Sequence, residues 1–371
     1  MRLKSLDVLR GLDLWFLLMV GPLYRSFYSC CRPDSPFLHW LKVQMNHVKW
    51  EGFVAWDIIM PLFMFMSGIT IPFSMSKYRN GLTPDRGFYL KLLRRFVLLF
   101  VFGWLVQGNL LTFDPKLFHP FANTLQAIAV GYAASALMFV HLRPKGQIIL
   151  TASIFLAYLA AFAFTGMNLD PESNIAMAID KAVLGSHRDG VLWAEDGSWT
   201  FNPKYQYTWV LSSLNFIVTV MMGCFAGQIL CARNREVMVR KAVVLAGVGT
   251  ALVIAGLAMS PWFPIIKKIW SSSMTLFSGG ICFLLMALTY YLIDVRKSRL
   301  ELKGIACFGL NSIVVYVIGE MVNFSSVSQS FLYGLEPLVG KFYPLVVTFG
   351  NVLLLYFIMR LMYKYKVFVK I

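Results

Sequence analysis

The feature that most limits the fold of this chain is a series of apolar stretches, each close to the length that crosses a bilayer. A transmembrane helix needs about 20 predominantly apolar residues. Such stretches predict spans at residues 6–24, 52–73, 90–109, 122–140, 148–166, 208–230, 242–260, 272–293, 305–322 and 343–362. We therefore expect an all-α, polytopic membrane bundle of about ten transmembrane helices, formed by a single domain over residues 1–371.

The composition excludes an ordinary soluble domain. Hydrophobic residues make up 58% of the chain and charged residues only 14%, whereas a soluble domain carries about 25% charged residues. The formal net charge of +16 would suit a nucleic-acid partner, so the placement of the basic residues decides what the charge means.

The basic residues are distributed unequally between the two sides of the predicted spans. With the N-terminus in the cytoplasm, 22 of the 34 Lys and Arg residues fall on the cytoplasmic side and 11 on the outer side, and Arg10 lies within the first span. Cytoplasmic loops carry such an excess of Lys and Arg. We predict a multi-pass protein of the cell inner membrane with both termini cytoplasmic, and no nucleic-acid partner.

Charged residues interrupt the first span. Asp7 and Arg10 lie three apart, so they share a helix face and can pair, and Asp13 lies about one turn further in. These charges argue against a cleaved signal peptide. The stripe is either a structural ion pair or the wall of a ligand pathway, and ionisable groups at membrane depth favour the pathway.

Cysteine and histidine spacing gives no sign of a metal. The adjacent Cys30 and Cys31 would form a strained bridge, and no disulfide framework is visible. No histidine lies within four residues of a cysteine or of another histidine; the five are His39, His47, His119, His141 and His187. We therefore predict no metal site.

The two faces suggest different chemistry. The outer loop 167–207 mixes acids and bases with Trp193 and Trp199, which suits a sugar, although the loop could equally be a solvated cover. On the inner face, Arg94 and Arg95 follow one another near the start of the third span. They could hold a cytosolic anion such as a nucleotide phosphate, but the positive-inside rule alone would also put them there.

A histidine and an acid flank the start of the second span. His47 lies just outside it, near Trp50 and Trp56, which mark the membrane interface. Asp57 lies just inside, and Pro61 follows. An imidazole beside a carboxylate is a serviceable general base, because the acid fixes the tautomer and holds the cation that forms. Considered alone, however, a loop histidine is usually solvated.

Three amides lie within the predicted spans. Asn123 and Gln126 occupy the fourth span and Asn311 the ninth. Such side chains often hydrogen-bond one membrane helix to another. A structural role and a place in a binding site both remain open for them.

Four motifs in order resemble one family across essentially the whole chain. They are SLDVLRG at residues 5–11, HVKWEGF at 47–53 followed by DIIMPLFMFMSG at 57–68, LQAIA at 125–129, and GLNS at 309–312. This sequence resembles the transmembrane acyltransferases related to heparan-α-glucosaminide N-acetyltransferase, and its bacterial members of the Bacteroidetes in particular. The first two motifs are specific when they occur together.

The resemblance implies acetyl transfer from cytosolic acetyl-CoA to a glucosamine-like amino sugar on the outer side. His47 matches the active-site histidine, which would be the general base or would briefly carry the acetyl group. The motif puts Asp57 beside His47, and Asp7 and Arg10 would line the cofactor passage. Gln126 falls in a family motif and is our third candidate for that passage. From their charge, Arg94 and Arg95 could meet the CoA phosphates.

Candidate substrate-binding residues follow from the same chemistry. The oxyanion that develops in acyl transfer needs hydrogen-bond donors. Asn46, Asn123 and Asn311 are candidates, with no choice among them, and Trp50 is a fourth substrate-binding candidate.

The chain departs from the lysosomal enzyme in two ways. Gly21 stands where that enzyme has an Asn near the outer end of the matching helix, and that enzyme also has an extra helix and a lumenal domain before the shared core. Both differences leave the acceptor, and N- against O-acylation, open.

Two other functional classes compete with the acyltransferase. A transporter or flippase for a glycan or small solute would use the polar stripe of the first span and the broken second helix, although no inverted repeat is visible. A receptor or scaffold has no feature that calls for it. Membrane lipid and an amino sugar or glycan are the expected partners, and a homodimer could form.

Overall fold

The computed structural model describes residues 3–31, 34–79, 82–108, 110, 113–231, 238–296 and 303–368. The chain is all-helical, with 75% helix and 2% strand. Several basic residues in the topology count, and the last residue of the third predicted span, lie outside the described residues: Arg2, Arg32, Asn109, Arg233, Arg235, Lys297, Arg299 and Lys370.

α-Helices make up most of the described residues. In chain order they are α1 (Lys4–Trp15), α2 (Gly21–Cys31), α3 (Pro36–Gln44), α4 (Ile59–Arg79), α5 (Arg86–Val106), α6 (Thr124–His141), α7 (Pro144–Phe164), α8 (Ile175–Leu184), α9 (Ser213–Cys231), α10 (Met238–Met259), α11 (Ser272–Tyr290), α12 (Lys303–Leu310), α13 (Ser312–Met321), α14 (Phe324–Leu332), α15 (Glu336–Val339) and α16 (Tyr343–Lys364). A π-helical segment, Phe16–Val20, joins α1 to α2, and another, Tyr291–Val295, extends α11. Strands β1 (Val191–Trp193) and β2 (Trp199–Phe201) form one hairpin.

Seven helical stretches of the described chain are long and apolar enough to cross a membrane. They are Ala55–Tyr78, Thr124–His141, Pro144–Phe164, Ser213–Cys231, Met238–Met259, Ser272–Val295 and Phe324–Lys364. The other predicted spans, 6–24, 90–109 and 305–322, also fall in helical regions, but the first two contain charged residues and the third is interrupted at Asn311. The total of ten crossings and the cytoplasmic termini stay predictions.

Contacts divide the chain into two compact units. The larger unit contains the described residues of 49–53 and 60–288, and the smaller unit those of 2–48, 54–59 and 289–371. The single domain over the whole chain stays a prediction.

Close contact between α4 and α9 organises the larger unit. Gly223 and Gly227 are four residues apart on α9, and a Cβ atom at these positions would overlap the carbonyl oxygens of Phe65 and Ile69 on α4, respectively. Gly68 meets the carbonyl of Val220 in the same way. Glycines at this spacing let two membrane helices approach backbone to backbone, so these helices can pack closely without large side chains between them.

A buried acid connects the segment 167–207 to the start of α9. The carboxylate of Asp180 accepts hydrogen bonds from the backbone N–H groups of Trp209 and Val210 at 2.8 and 2.9 Å. Arg188 is fully buried and donates to the carbonyls of Tyr205 and Tyr207 at 3.2 and 3.1 Å. Both side chains thus satisfy backbone groups that the fold removes from water.

Helix α1 has a similar glycine-mediated partner in the smaller unit. A Cβ atom at Gly11 would overlap the carbonyl of Ile305 on α12, and one at Gly309 would overlap the carbonyl of Asp7 on α1. The two helices therefore approach at the backbone level along the residues that the first sequence motif contains.

We predict that Gly223→Ala destabilises the protein, because the added methyl group meets a backbone carbonyl that cannot rotate away. The expected cost is about 1–3 kcal/mol, typical of overpacking. Gly247→Ala on α10 is the matched control, since a Cβ there meets nothing within 4 Å. Thermal unfolding midpoints in detergent measure both, and an equal midpoint for the two variants would contradict the packing assignment.

The buried Asp180 predicts a pH-dependent stability. Burial is the main cause that raises the pKa of its carboxyl from 3.8 to about 6, although the Trp209 and Val210 N–H groups and the Arg188 charge lower it. A raised carboxyl pKa means that the folded state holds the proton more tightly. The protein therefore loses stability as pH rises from about 4 through 6, by about 3 kcal/mol at most.

The measurement is the unfolding midpoint of the wild type and of Asp180→Asn from pH 4.5 to 7.5. The variant cannot titrate at this position, so the difference between the two midpoints must change across pH 6. Parallel pH curves would contradict the assignment.

Candidate functional site

His47 is presented by a helical hairpin in the smaller unit. Helix α3 packs beside α2 through Tyr24, whose hydroxyl donates to the carbonyl of Leu38 at 2.6 Å. After α3 the chain turns, and the Asn46 side-chain amide donates to the Lys42 carbonyl at 2.7 Å. That bond satisfies a carbonyl at the C-terminal end of the helix. His47, the next residue, therefore follows a helix end whose backbone is held in place by this hydrogen bond.

Asp57 lies in a short 3₁₀ turn that leads into α4. The turn spans Ala55–Ile58, and the Asp57 carboxylate accepts from the Val54 N–H at 3.4 Å. The Ala55 N–H donates to Oε1 of Gln44 at 3.0 Å, which ties this turn to the end of α3. The turn that carries Asp57 therefore lies beside the turn that carries His47.

These turns bring His47 and Asp57 into hydrogen-bond contact. Nδ1 of His47 lies 2.6 Å from Oδ1 of Asp57, and the two side chains are 44% and 1% exposed. When Asp57 is ionised its carboxylate can only accept, so Nδ1 of His47 then carries the hydrogen and the imidazole lone pair lies on Nε2. A base of defined tautomer, backed by a buried acid, is what proton transfer requires.

Trp56, the residue before Asp57, packs against Phe16 and Gly21. Its ring is buried at 7% exposure and its centroid lies 5.3 Å from that of Phe16. A Cβ atom at Gly21 would overlap the indole. The space beside Gly21 is therefore filled by the edge of the indole.

Three further sequence candidates lie in the smaller unit. Asp7 and Arg10 are both on α1, and their pairing stays a prediction. Asn311 stands between α12 and α13, where its amide donates to the Val367 carbonyl at 2.9 Å. This bond accounts for one donor of Asn311 as a structural link.

Asn123 and Gln126 form a capping box at the start of α6 in the larger unit. Oδ1 of Asn123 accepts from the Leu125 N–H at 2.8 Å, and Oε1 of Gln126 accepts from the N–H groups of Ala122 and Asn123 at 2.8 and 3.0 Å. Nε2 of Gln126 is buried and has no hydrogen-bond partner among the described residues. A buried donor left unsatisfied is costly, so Gln126 has capacity for a ligand carbonyl.

The two arginines of α5 differ in their surroundings. Arg94 is exposed and Arg95 is half-buried. The guanidinium of Arg95 lies 3.8 Å from the ring centroid of Tyr132 on α6. Arg95 is therefore held against a helix, whereas Arg94 faces outward.

Trp50 is half-buried in the larger unit. It packs against an apolar cluster that includes Tyr158, Phe263 and Ile266, and the neighbouring Gly52 N–H donates to the Ile265 carbonyl at 2.8 Å. These contacts hold residues 50–52 in place. Trp50 therefore has a structural role, whether or not it also contacts substrate.

Sequence reasoning missed Arg25 and Gln44. Arg25 donates to the Met45 carbonyl at 2.9 Å, and Gln44 holds the Asp57 turn as described above. Neither residue stands out in the sequence, because basic and amide side chains are ordinary at the ends of helices and in the turns between them. Among the described residues, no group of three or more His, Cys, Asp or Glu side chains is placed to hold a metal ion.

No protein-family model matches this sequence, and no curated protein does. The functional argument therefore depends on the residues and their geometry.

We predict that Gly21→Ala disturbs the site, since the new methyl group must displace the Trp56 indole next to Asp57. The expected loss of stability is about 1–3 kcal/mol. Gly334→Ala, in the same unit and with nothing within 4 Å of its Cβ position, is the control. An unchanged thermal midpoint for Gly21→Ala would show that the indole does not occupy this place.

Proposed function

We propose that this protein is a membrane acyltransferase that moves an acetyl group from acetyl-CoA to an amino sugar on the far side of the membrane. One observation carries the proposal: Nδ1 of His47 lies 2.6 Å from the carboxylate of Asp57, which is 1% exposed. A solvated loop histidine has no need of a buried acid, whereas a general base has.

The pair suits acyl transfer to an amine. The acceptor nitrogen attacks the thioester carbonyl carbon, a C–N bond forms, and the C–S bond breaks to release the CoA thiolate. Nε2 of His47 takes the proton that the nitrogen loses and can return it to the thiolate. Asp57 stabilises the imidazolium that exists between these steps. The same Nε2 could instead carry the acetyl group, and the proposal includes both routes.

The donor would approach from the cytosolic face. Exposed Arg94 and half-buried Arg95 supply positive charge for its phosphates, and the buried Nε2 of Gln126 supplies a hydrogen-bond donor. These assignments require the proposed arrangement of ten crossings with both termini in the cytoplasm of a cell inner membrane. The seven long apolar helices support its coarser part.

The acceptor would come from the opposite face of the membrane. The sugar's amine fits the role of His47 as base, and Asn46, Trp50 and Asn123 are its proposed contacts. The resemblance to the heparan-α-glucosaminide N-acetyltransferase family supports an N-acetyl acceptor of the glucosamine class, and O-acylation is the variant of the proposal.

One observation favours a second candidate, a transporter that performs no chemistry. Asp13 on α1 is 4% exposed, and its Oδ2 has no hydrogen-bond partner among the described residues. Buried acids in membrane helices mark ion and substrate pathways. Substrate counterflow into vesicles without acetyl-CoA would support this candidate.

We predict that His47→Ala lowers acetyl transfer to glucosamine by on the order of 100-fold or more, the usual worth of a general base. Asp57→Asn should lower it at least about 10-fold, because a side-chain amide no longer fixes the tautomer or stabilises the imidazolium. Purified protein in detergent, acetyl-CoA and glucosamine give the rates by mass spectrometry of the product.

His39→Ala is the matched control, since His39 lies on the same hairpin and its ring nitrogen contacts only the exposed hydroxyl of Tyr28 at 3.1 Å in the contacts described. It should transfer at the wild-type rate. A folded His47→Ala protein with wild-type turnover would refute the catalytic role of His47.

A further inference from the structure

Arg25 touches both turns that form the His47–Asp57 pair. Its guanidinium donates to the carbonyl of Met45, two residues before His47, at 2.9 Å. The same guanidinium lies 4.5 Å from the ring centroid of Trp56, the residue before Asp57. One side chain thus contacts the backbone of one turn and the aromatic ring of the other.

The π-helical segment Phe16–Val20 explains how Arg25 reaches that position. The Gly21 N–H donates to the Phe16 carbonyl, five residues back, so Phe16 and Gly21 lie on one helix face. Arg25 follows four residues later on the same face of α2. All three meet Trp56: Phe16 by its ring, Gly21 by its bare backbone and Arg25 by its guanidinium. Single π turns inside α-helices are frequent at functional sites.

A guanidinium can make the two contacts of Arg25 at once, whereas a lysine ammonium cannot make both well. A guanidinium is planar, so it can stack on an indole and donate an in-plane hydrogen bond at the same time. An ammonium is a compact charge that does one of these well. The contact pair therefore depends on arginine in particular.

We infer that Arg25 is a positioning residue that fixes the His47 turn against the Asp57 turn and thereby sets the His47–Asp57 hydrogen bond. The inference rests on the proposed function for its catalytic consequence, but its structural part is separate. Arg25 touches Met45 and Trp56 and acts through them, so substitution should affect the rate of the chemical step more than binding of the donor. A small displacement of a reacting group can cost up to about 100-fold.

The experiment compares the wild type with Arg25→Met, Arg25→Lys and Lys42→Ala. Lys42 is the matched control: it is a cation of the same hairpin, exposed, with its ammonium 4.6 Å from the Tyr28 ring centroid. The first readout needs no activity. It is the low-field proton resonance of a histidine Nδ1–H bound to a carboxylate, which Asp57→Asn removes and so assigns.

We expect this resonance in the wild type and in Lys42→Ala, and its loss in Arg25→Met. Arg25→Lys keeps the charge on the hairpin and is the second variant if Arg25→Met does not fold; it should weaken the resonance.

The second readout is kinetic. Arg25→Met should lower kcat on the order of 10- to 100-fold, with KM for acetyl-CoA within about twofold of the wild type, and Arg25→Lys should restore part of the loss.

Absence of the resonance from the wild type, or its persistence in both Arg25 variants, would overturn the inference. So would an Arg25→Met protein that loses donor binding and keeps kcat. If the wild type shows the resonance but transfers no acetyl group, the proposed function fails while the Arg25 result still stands on the resonance alone.

Discussion

The buried carboxylate of Asp57 is the constraint on which the account of the site depends. A carboxyl group with 1% exposure needs hydrogen-bond partners nearby, because a buried polar group without them raises the free energy of the fold. The Val54 N–H and Nδ1 of His47 supply them. Because the acid is fixed by its own turn, the imidazole it binds has a fixed tautomer and orientation, although 44% of the His47 side chain is exposed.

This arrangement separates the roles of the surrounding elements. Helices α2 and α3 bring His47, and the 3₁₀ turn before α4 brings Asp57. The side chains of Asn46 and Gln44 hydrogen-bond to backbone groups at the helix ends and fix the positions of the two turns. Gly21 leaves room for the indole of Trp56, which belongs to the turn that carries Asp57. The site therefore lies at the end of α3 and in the 3₁₀ turn before α4, and packing within the smaller unit holds both in place.

Part of this organisation could be read from the sequence. Long apolar stretches predicted an all-helical chain, which the structure confirms, because membrane-length apolar runs leave little choice of fold. The spacing of ten residues between His47 and Asp57 was a weak signal for a pair, and the resemblance to a known family motif is what put the two side by side. The π-helical turn was not visible, since the run Phe16–Val20 is apolar in every position and gives no periodic signal. The partner of Gly21 was also hidden, because Trp56 lies 35 positions away in the chain. The hydrogen bond from Asn311 to the Val367 carbonyl was hidden for the same reason, because the two residues lie 56 positions apart.

Transfer across a sealed membrane tests the central claim most directly. Protein in vesicles would be supplied with labelled acetyl-CoA outside and glucosamine inside, and the reverse in a second preparation. The account predicts labelled N-acetylglucosamine in the compartment that holds the sugar, for one protein orientation, and its loss in the His47→Ala protein. Passage of unmodified glucosamine out of the vesicles, with no labelled product in either compartment, would contradict the account and favour a transporter.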